Sequence, residues 1–271
     1  MSVFTAILLG VVQGLTEFLP VSSSGHLVLL QKIFGMEEPA LFFDTMLHAG
    51  TLIAVVVVLW RDIWAILRKI FQPLTAYLIL ATVPAVIFAL LFKSNIEAAF
   101  ETGRFLGFAF LLTSALLVCA ELLSRKARAG AGFKKMNWFD ALIVGLLQAA
   151  AIAPGLSRSG ATISGALFRK LDRDFAARFS FMLSIPAILG ALVLQLFDLS
   201  KGADAGAGGI GAAAVIAGTL SAAIVGFFAV RLMLKIIREK SLFGFAIYTG
   251  ILGLLVLVNQ FIVPFMFCMN N

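Results

Sequence analysis

Long apolar runs, separated by short polar clusters, dominate the chain. A helix crosses the hydrocarbon core of a membrane in about 20 apolar residues. Six runs fit that length, at about 41–60, 74–92, 104–124, 176–197, 211–232 and 243–263, and each is predicted to be a transmembrane helix. Two other apolar regions are interrupted. Glu17, Pro20, three serines and His26 break residues 3–34, and Pro154, Ser157, Arg158 and Ser159 break residues 138–168. Each predicts two half-length helices with a polar break between them. Such breaks are tolerated at membrane depth only where protein or a water-filled cavity surrounds them. Both regions are therefore predicted to be re-entrant hairpins that enter and leave on one side.

Composition agrees. Hydrophobic residues make up 61% of the 271 residues and charged residues 13%, against roughly 45–50% and about 25% in soluble domains. A soluble enzyme, a disordered chain and a fibrous chain are excluded, which leaves an all-α polytopic membrane protein. The net charge of +7 does not point to nucleic acid, because the basic residues fall in short clusters between apolar runs. Cys119 and Cys268 both lie in apolar segments and form no disulfide framework or metal-ligand spacing. Residues 3–19 lack a basic flank before them and carry Gln13 and Glu17, so they are expected to belong to the mature protein rather than to a cleaved leader.

Charge sets an expected orientation. The connections 61–73, 125–137, 169–178 and 231–240 together hold sixteen of the 21 Lys and Arg residues. The opposite side receives Lys32, Lys93, Arg104 and Lys201, while Arg158 lies inside the second break. This bias places the four basic connections in the cytoplasm and both termini outside it. The two breaks also match at a constant offset: Gly10 with Gly145, Gln13 with Gln148, Ser22 with Ser157, Ser24 with Ser159 and Gly25 with Gly160, with Pro20 and Pro154 one residue out of step. Three full spans follow each hairpin, and an odd number inverts the second copy. The expectation is a single membrane domain over 1–271. Its repeat 1 (about 1–124, hairpin 3–34) and repeat 2 (about 138–263, hairpin 138–168) would have inverted topology, with a site near the midplane where the broken helices meet.

The breaks carry the chemistry. Gln13 and Glu17, four residues apart, share a helix face. Pro20 stops that half-helix, and Ser22 or Ser23 can cap the next, directing backbone N–H groups into the break. In the second break Pro154 and Ser157 repeat the pattern. Two helix starts, several hydroxyls and the Arg158 guanidinium form an anion site suited to phosphate oxygens. Glu17 is an odd neighbour for an anion unless a divalent cation joins them. Ser23 and His26, three apart, can act as nucleophile and proton-transfer partner in either order. Taken singly, a Ser/Gly cluster is more often close helix packing and a lone membrane histidine a helix–helix hydrogen bond. A carboxylate and a guanidinium together are costlier to keep without a function, at about 2.5–3.5 kcal/mol each at a helix centre. Asp44 and His48, four apart near the outer end of the first full span, form a further candidate pair that costs less to keep. The Gly-rich stretch 202–211 reads as a flexible outer loop.

The motif Gln13-xxx-Glu17 with Pro20-Val-Ser22-Ser23-Ser24-Gly25-His26, and the motif Pro154-Gly-Leu-Ser157-Arg158-Ser159-Gly160-Ala-Thr162, resemble those of the bacterial undecaprenyl pyrophosphate phosphatase family associated with bacitracin resistance. The resemblance extends over essentially the whole chain. It implies a hydrolase of the bacterial cytoplasmic (inner) membrane that cuts undecaprenyl pyrophosphate to the monophosphate carrier of peptidoglycan precursors. Its site would open to the periplasmic or outer side and need Mg2+ or Ca2+. Glu17, Ser23, His26 and Arg158 would form the catalytic core. Ser22, Ser24, Gly25, Ser157, Ser159, Gly160 and Thr162 would bind substrate, and Glu17 with Gln13 would hold the metal. Many members carry a second Glu where Gln13 stands. Whether Ser23, His26 or water attacks phosphorus stays open. The implied partners are the polyprenyl pyrophosphate and membrane lipid, and a homodimer is a compatible assembly. The competing class is a polyprenyl-phosphate flippase using the same anion site, since inverted repeats with broken helices are common in transporters.

The charge split makes a direct prediction. In a background lacking Cys119 and Cys268, cysteines placed at Met36 and Gly206 should react with an impermeant thiol reagent from outside intact cells, and one at Gly130 should not. Labelling at Gly130 with none at Gly206 reverses the orientation.

Overall fold

A computed structural model describes residues 1–36, 41–124, 136–200 and 210–261. The described residues form twelve helices: α1 Val3–Thr16, α2 Ser23–Ile33, α3 Leu41–Val58, α4 Trp60–Arg68, α5 Pro73–Leu91, α6 Lys93–Thr102, α7 Leu106–Ser124, α8 Trp138–Ala150, α9 Arg158–Phe168, α10 Arg173–Ser200, α11 Ala212–Glu239 and α12 Phe243–Phe261. Five of them (α5, α7, α10, α11 and α12) are long and apolar enough to cross a membrane, and α3 with α4 makes a sixth if that bent pair is counted as one span. The chain is a polytopic membrane protein.

Both interrupted regions are helix pairs of the expected length. α1, α2, α8 and α9 have 14, 11, 13 and 11 residues. At 1.5 Å per residue they reach about 16–21 Å, short of the roughly 30 Å hydrocarbon core. Ser2 caps α1, accepting from the Thr5 N–H at 3.0 Å. Asn137 and Asp140 form a reciprocal capping box at the start of α8. α1 ends at Thr16 and α8 at Ala150, each four residues before its proline, so the turn begins ahead of the ring that forbids further helix.

Two helices arise where the sequence predicted connections. α4 turns 77° away from α3 at Leu59. It stacks Trp60 on Trp64 and sets Arg68 over the Trp64 ring. None of its side chains is buried. An apolar face bearing tryptophan beside arginine suits the membrane–water boundary, so the span expected over 41–60 ends at Val58. α6 follows α5 and closes on Gly103 in the left-handed region (φ 63°). α10 and α11 also run past their expected ends into the basic segments. The charged turns at these ends are satisfied within and between helices: Arg178 donates to Asp62 (2.7 Å) and Asp174 (3.0 Å), Arg238 donates to Asp174 (2.7 Å), and Arg173 donates to Glu121, Ser124 and the Ile237 and Lys240 carbonyls. Arg169 pairs with Asp140 at 2.6 Å. The basic segments 61–73, 169–178 and 231–240 thus meet at one end of the bundle. At the other end Lys32 donates to the Thr102 carbonyl. The segments 125–135 and 201–209 lie outside the described residues.

Small residues let the helices touch. α1 lies on α11 and α8 on α5; α3 packs on α11 and α10 on α5; α7 lies against α12, and α3 against α10. A Cβ at Gly10 would stand 2.3 Å from the Gly218 carbonyl oxygen, and one at Gly145 would stand 2.6 Å from that of Ala81. Without a hydrophobic drive between helices in lipid, such close backbone approach supplies much of the association. Gly10→Ala should therefore force α1 away from α11 and lower stability by about 1–3 kcal/mol. Gly244→Ala, where an added Cβ meets nothing within 4 Å, should leave the thermal unfolding midpoint of the detergent-solubilised protein unchanged.

Candidate active site

The first break turns through Pro20, Val21 and Ser22. Ser22 takes φ 70°, a left-handed conformation that side-chain-bearing residues rarely hold outside functional sites. Its hydroxyl caps α2, accepting from the Gly25 N–H at 3.3 Å. In the second break Ser157 caps α9, accepting from the Gly160 N–H at 3.0 Å. Both caps sit as the sequence predicted. Each cap also meets the serine two residues on: Ser22 with Ser24 at 3.4 Å, and Ser157 with Ser159 at 3.3 Å.

Glu17 lies where the two breaks meet. It is the residue after the last turn of α1, and its carboxylate is divided between two sets of partners. Oε1 accepts from Arg158 Nη2 across the gap between hairpins. Oε2 accepts from Gln13 Nε2 at 2.9 Å and from Ser23 Oγ at 2.6 Å. His48 Nε2, from α3, stands 3.4 Å from the same Oε2. Arg158 Nη1 is buried with no acceptor, and Gln13 Oε1 is buried with no donor.

Over this cluster lies a cavity of about 680 Å3. Glu17, Ser22, Ser23, Ser24, Ser157 and Arg158 line its polar floor, with Asp44 and His48 beside them. Its walls are apolar and come from α5 (Ala85, Val86, Ala89, Leu90) and from α10 beyond Pro186. A polar floor under apolar walls is a shape for an amphiphile with an anionic head.

Several expected residues make contacts within the frame. Ser159 donates to the Leu19 carbonyl at 3.0 Å and ties the hairpins together. Gly160 packs on Ser157 and Pro20, and Gly25 packs against Phe110 and Gly155. Thr162 donates to the Arg158 carbonyl and meets Ser180 of α10 at 2.6 Å. His26 is placed differently from expectation. Its Nδ1 faces the Ser22 carbonyl at 2.7 Å and its Nε2 meets the Tyr248 hydroxyl at 2.7 Å, with the rings stacked. The carbonyl can only accept, so Nδ1 carries the proton and Nε2 accepts from the phenol. Ser23 turns to Glu17, and no hydrogen bond joins it to His26. The sequence reading missed Thr113, which accepts from the Ser157 N–H at 3.0 Å and donates to the Gly155 carbonyl. It also missed Ser180 and Tyr248. All three are ordinary residues within apolar runs, and no local spacing marks them.

A family model described as bacitracin resistance protein BacA matches residues 6–255. The chain belongs to the bacitracin resistance protein BacA family. An undecaprenyl-diphosphatase of Carboxydothermus hydrogenoformans is 46% identical over 260 residues, covering 96% of this chain and 98% of its own. Undecaprenyl-diphosphatase 3 of Bacillus cereus is 46% identical over 259 residues, covering 94% and 96%. An undecaprenyl-diphosphatase of Alkaliphilus metalliredigens is 40% identical over 277 residues, covering 95% and 98%. BacA relatives thus align with this chain through both breaks and the helices that carry them.

Proposed function

We propose that this BacA-family chain is an undecaprenyl-diphosphatase, hydrolysing undecaprenyl pyrophosphate to undecaprenyl phosphate and inorganic phosphate. It recycles the lipid carrier of peptidoglycan synthesis in the bacterial cytoplasmic membrane and so confers bacitracin resistance. The observation that carries this reading is the Arg158 guanidinium, paired through one nitrogen and unpaired through the other, at the floor of an apolar-walled cavity.

The architecture proposed with it is six transmembrane helices and two re-entrant hairpins in an inverted-topology repeat. Exchanging α1, α2, α3, α5 and α7 with α8, α9, α10, α11 and α12 turns the α1–α11 pairing into α8–α5, and α3–α11 into α10–α5. Gly10 and Gly145 then fall at equivalent crossings. With the basic segments in the cytoplasm, the cavity opens on the outer side, toward the end where Phe100 of α6 lines it.

In this reading Arg158 binds the pyrophosphate oxygens with its planar fork, and the helix starts at Ser22 and Ser157 add backbone donors. Ser23 Oγ is the nucleophile. It attacks the terminal phosphorus, and its proton passes to Glu17 Oε2, to which it already donates. The anhydride P–O bond breaks, undecaprenyl phosphate leaves, and water then releases phosphate from the serine. The proton acceptor is thus Glu17 rather than His26, which holds the start of α2 against α12. Among the described residues no three His, Cys, Asp or Glu side chains converge as a metal cluster. The Glu17 carboxylate and the undonated Gln13 Oε1 nevertheless fit a Mg2+ or Ca2+ whose shell substrate phosphate oxygens complete. Such a cation supplies charge neutralisation at those oxygens. A flippase would use the same floor without cutting, and the inverted pairing of helices favours that second reading.

Phosphate release separates the two: purified protein should liberate inorganic phosphate from undecaprenyl pyrophosphate, and absence of release would leave the flippase. Arg158→Ala should lower kcat/KM by about 10²–10³-fold, with Arg158→Lys recovering only part because it lacks the fork; wild-type kcat/KM in Arg158→Ala removes the clamp. Rapid quench should trap an acid-stable, base-labile phosphate on Ser23. An acid-labile, base-stable phosphate on His26 overturns the serine assignment and leaves the phosphatase intact.

A further inference from the structure

His48 has the features of a metal ligand, although no motif marks it. Its Nδ1 stands 2.7 Å from the backbone carbonyl of Asp44, one turn earlier on α3. A carbonyl accepts only, so Nδ1 carries the hydrogen and the free lone pair of the neutral ring is on Nε2. Histidines that bind metals show this arrangement, with one ring nitrogen donating to a carbonyl or carboxylate and the other turned to the ion. That second nitrogen lies 3.4 Å from Glu17 Oε2, and on a neutral ring it offers a lone pair beside the carboxylate oxygen across a gap that suits a shared cation.

The surroundings fit. Oε1 of Glu17 is taken by Arg158, so the carboxylate presents only Oε2 on the His48 side. Ser23 Oγ and the Gln13 side chain converge on that same oxygen. Gln13 Oε1 has no donor as placed. Exchanging the two ends of that amide, which differ little in shape, would bring an oxygen rather than an N–H to the point where His48 and Glu17 meet. Asp44, the other carboxylate on this wall, is held by Gln31 Nε2 at 2.6 Å and fixes the turn from which His48 projects. His26, by contrast, has its Nε2 engaged by Tyr248.

We propose that His48 Nε2 and Glu17 Oε2 are joint ligands of the divalent cation, with Gln13, Ser23 and phosphate oxygens completing its shell. This rests on the metal assignment made above for Glu17 and Gln13. An imidazole in the shell shifts preference away from Mg2+ and Ca2+, which favour all-oxygen shells, toward first-row transition metals, with Mn2+ the one that also accepts the carboxylate and phosphate oxygens.

The test uses the full chain in detergent, stripped of metal and supplied with Mn2+ and inorganic phosphate. Pulsed electron paramagnetic resonance should show coupling of the bound Mn2+ to an imidazole 14N, replaced by a 15N pattern when the histidines of the wild type are isotopically labelled. That comparison needs no substitution. His48→Gln should remove the coupling and weaken Mn2+ binding at least about tenfold, while His26→Asn keeps both. Mn2+ binding that depends on Glu17 but shows no nitrogen coupling overturns the role of His48 and leaves the phosphatase reading standing. Coupling lost in His26→Asn but kept in His48→Gln overturns it in favour of the other histidine, and failure of the wild type to bind Mn2+ overturns it outright. Coupling through His48 in a protein that releases no phosphate from undecaprenyl pyrophosphate sustains the metal site and removes the phosphatase.

Discussion

The contact between Glu17 and Arg158 is the constraint on which the rest of the architecture turns. Each charge comes from a different broken helix, and both are largely withdrawn from water. Leaving either unpaired in a low-dielectric interior is severely costly. The two breaks must therefore meet, which requires that the two helix pairs face each other at their turns and that the surrounding helices close around them. Ser159 bonding to the Leu19 carbonyl and Gly160 seated against Pro20 are the neutral contacts that hold the same junction. The pair is also asymmetric. Arg158 spends one terminal nitrogen, Nη2, on Glu17 and leaves the other, Nη1, unpaired, and Glu17 spends one oxygen on Arg158 and gathers Gln13, Ser23 and His48 around the other. One carboxylate thus anchors the guanidinium and a second set of groups at once.

The cavity above this junction combines two environments that are normally kept apart. Its floor is built at helix starts, where backbone N–H groups lack helical partners, and its walls are built mainly from apolar side chains of α5 and α10. A lipid with a pyrophosphate head matches both. The head displaces water from groups that need anionic partners, and the chain meets surface no more polar than the bilayer.

What could be read from the sequence were features with local causes. Proline breaks, serine caps, the Gln13–Glu17 face and the apolar spans each follow from residues within a turn or two of one another. What could not be read came from distance. The His26–Tyr248 contact joins residues 222 positions apart, and Ser23 chooses Glu17 over His26 because α1 and α2 converge at the break, which spacing along α2 cannot reveal. Thr113 and Ser180 lie inside apolar runs whose pattern says only that they are helical. The turn at Leu59 escaped for another reason: Trp60 continues the apolar run of α3 as far as Arg61, and hydropathy does not register a change of direction. Asp44 and His48 were visible as a pair, but their place beside Glu17 depended on α3 packing next to α1.

The seating of α1 on α11 has a consequence for biogenesis. Gly10 and Gly14 rest against Gly218, Ala222 and Gly226, a surface the ribosome makes roughly two hundred residues later, some ten seconds or more at about 5–20 residues per second. Until then the first hairpin lacks the helix it packs on, and until Arg158 is made, 141 residues after Glu17, it also lacks the guanidinium that pairs with its carboxylate. The nascent chain must therefore be held by the insertion machinery, or wait at the membrane surface, until the second half arrives. A truncated product ending before α9 would carry Glu17 without Arg158, which makes it a natural substrate for membrane quality control.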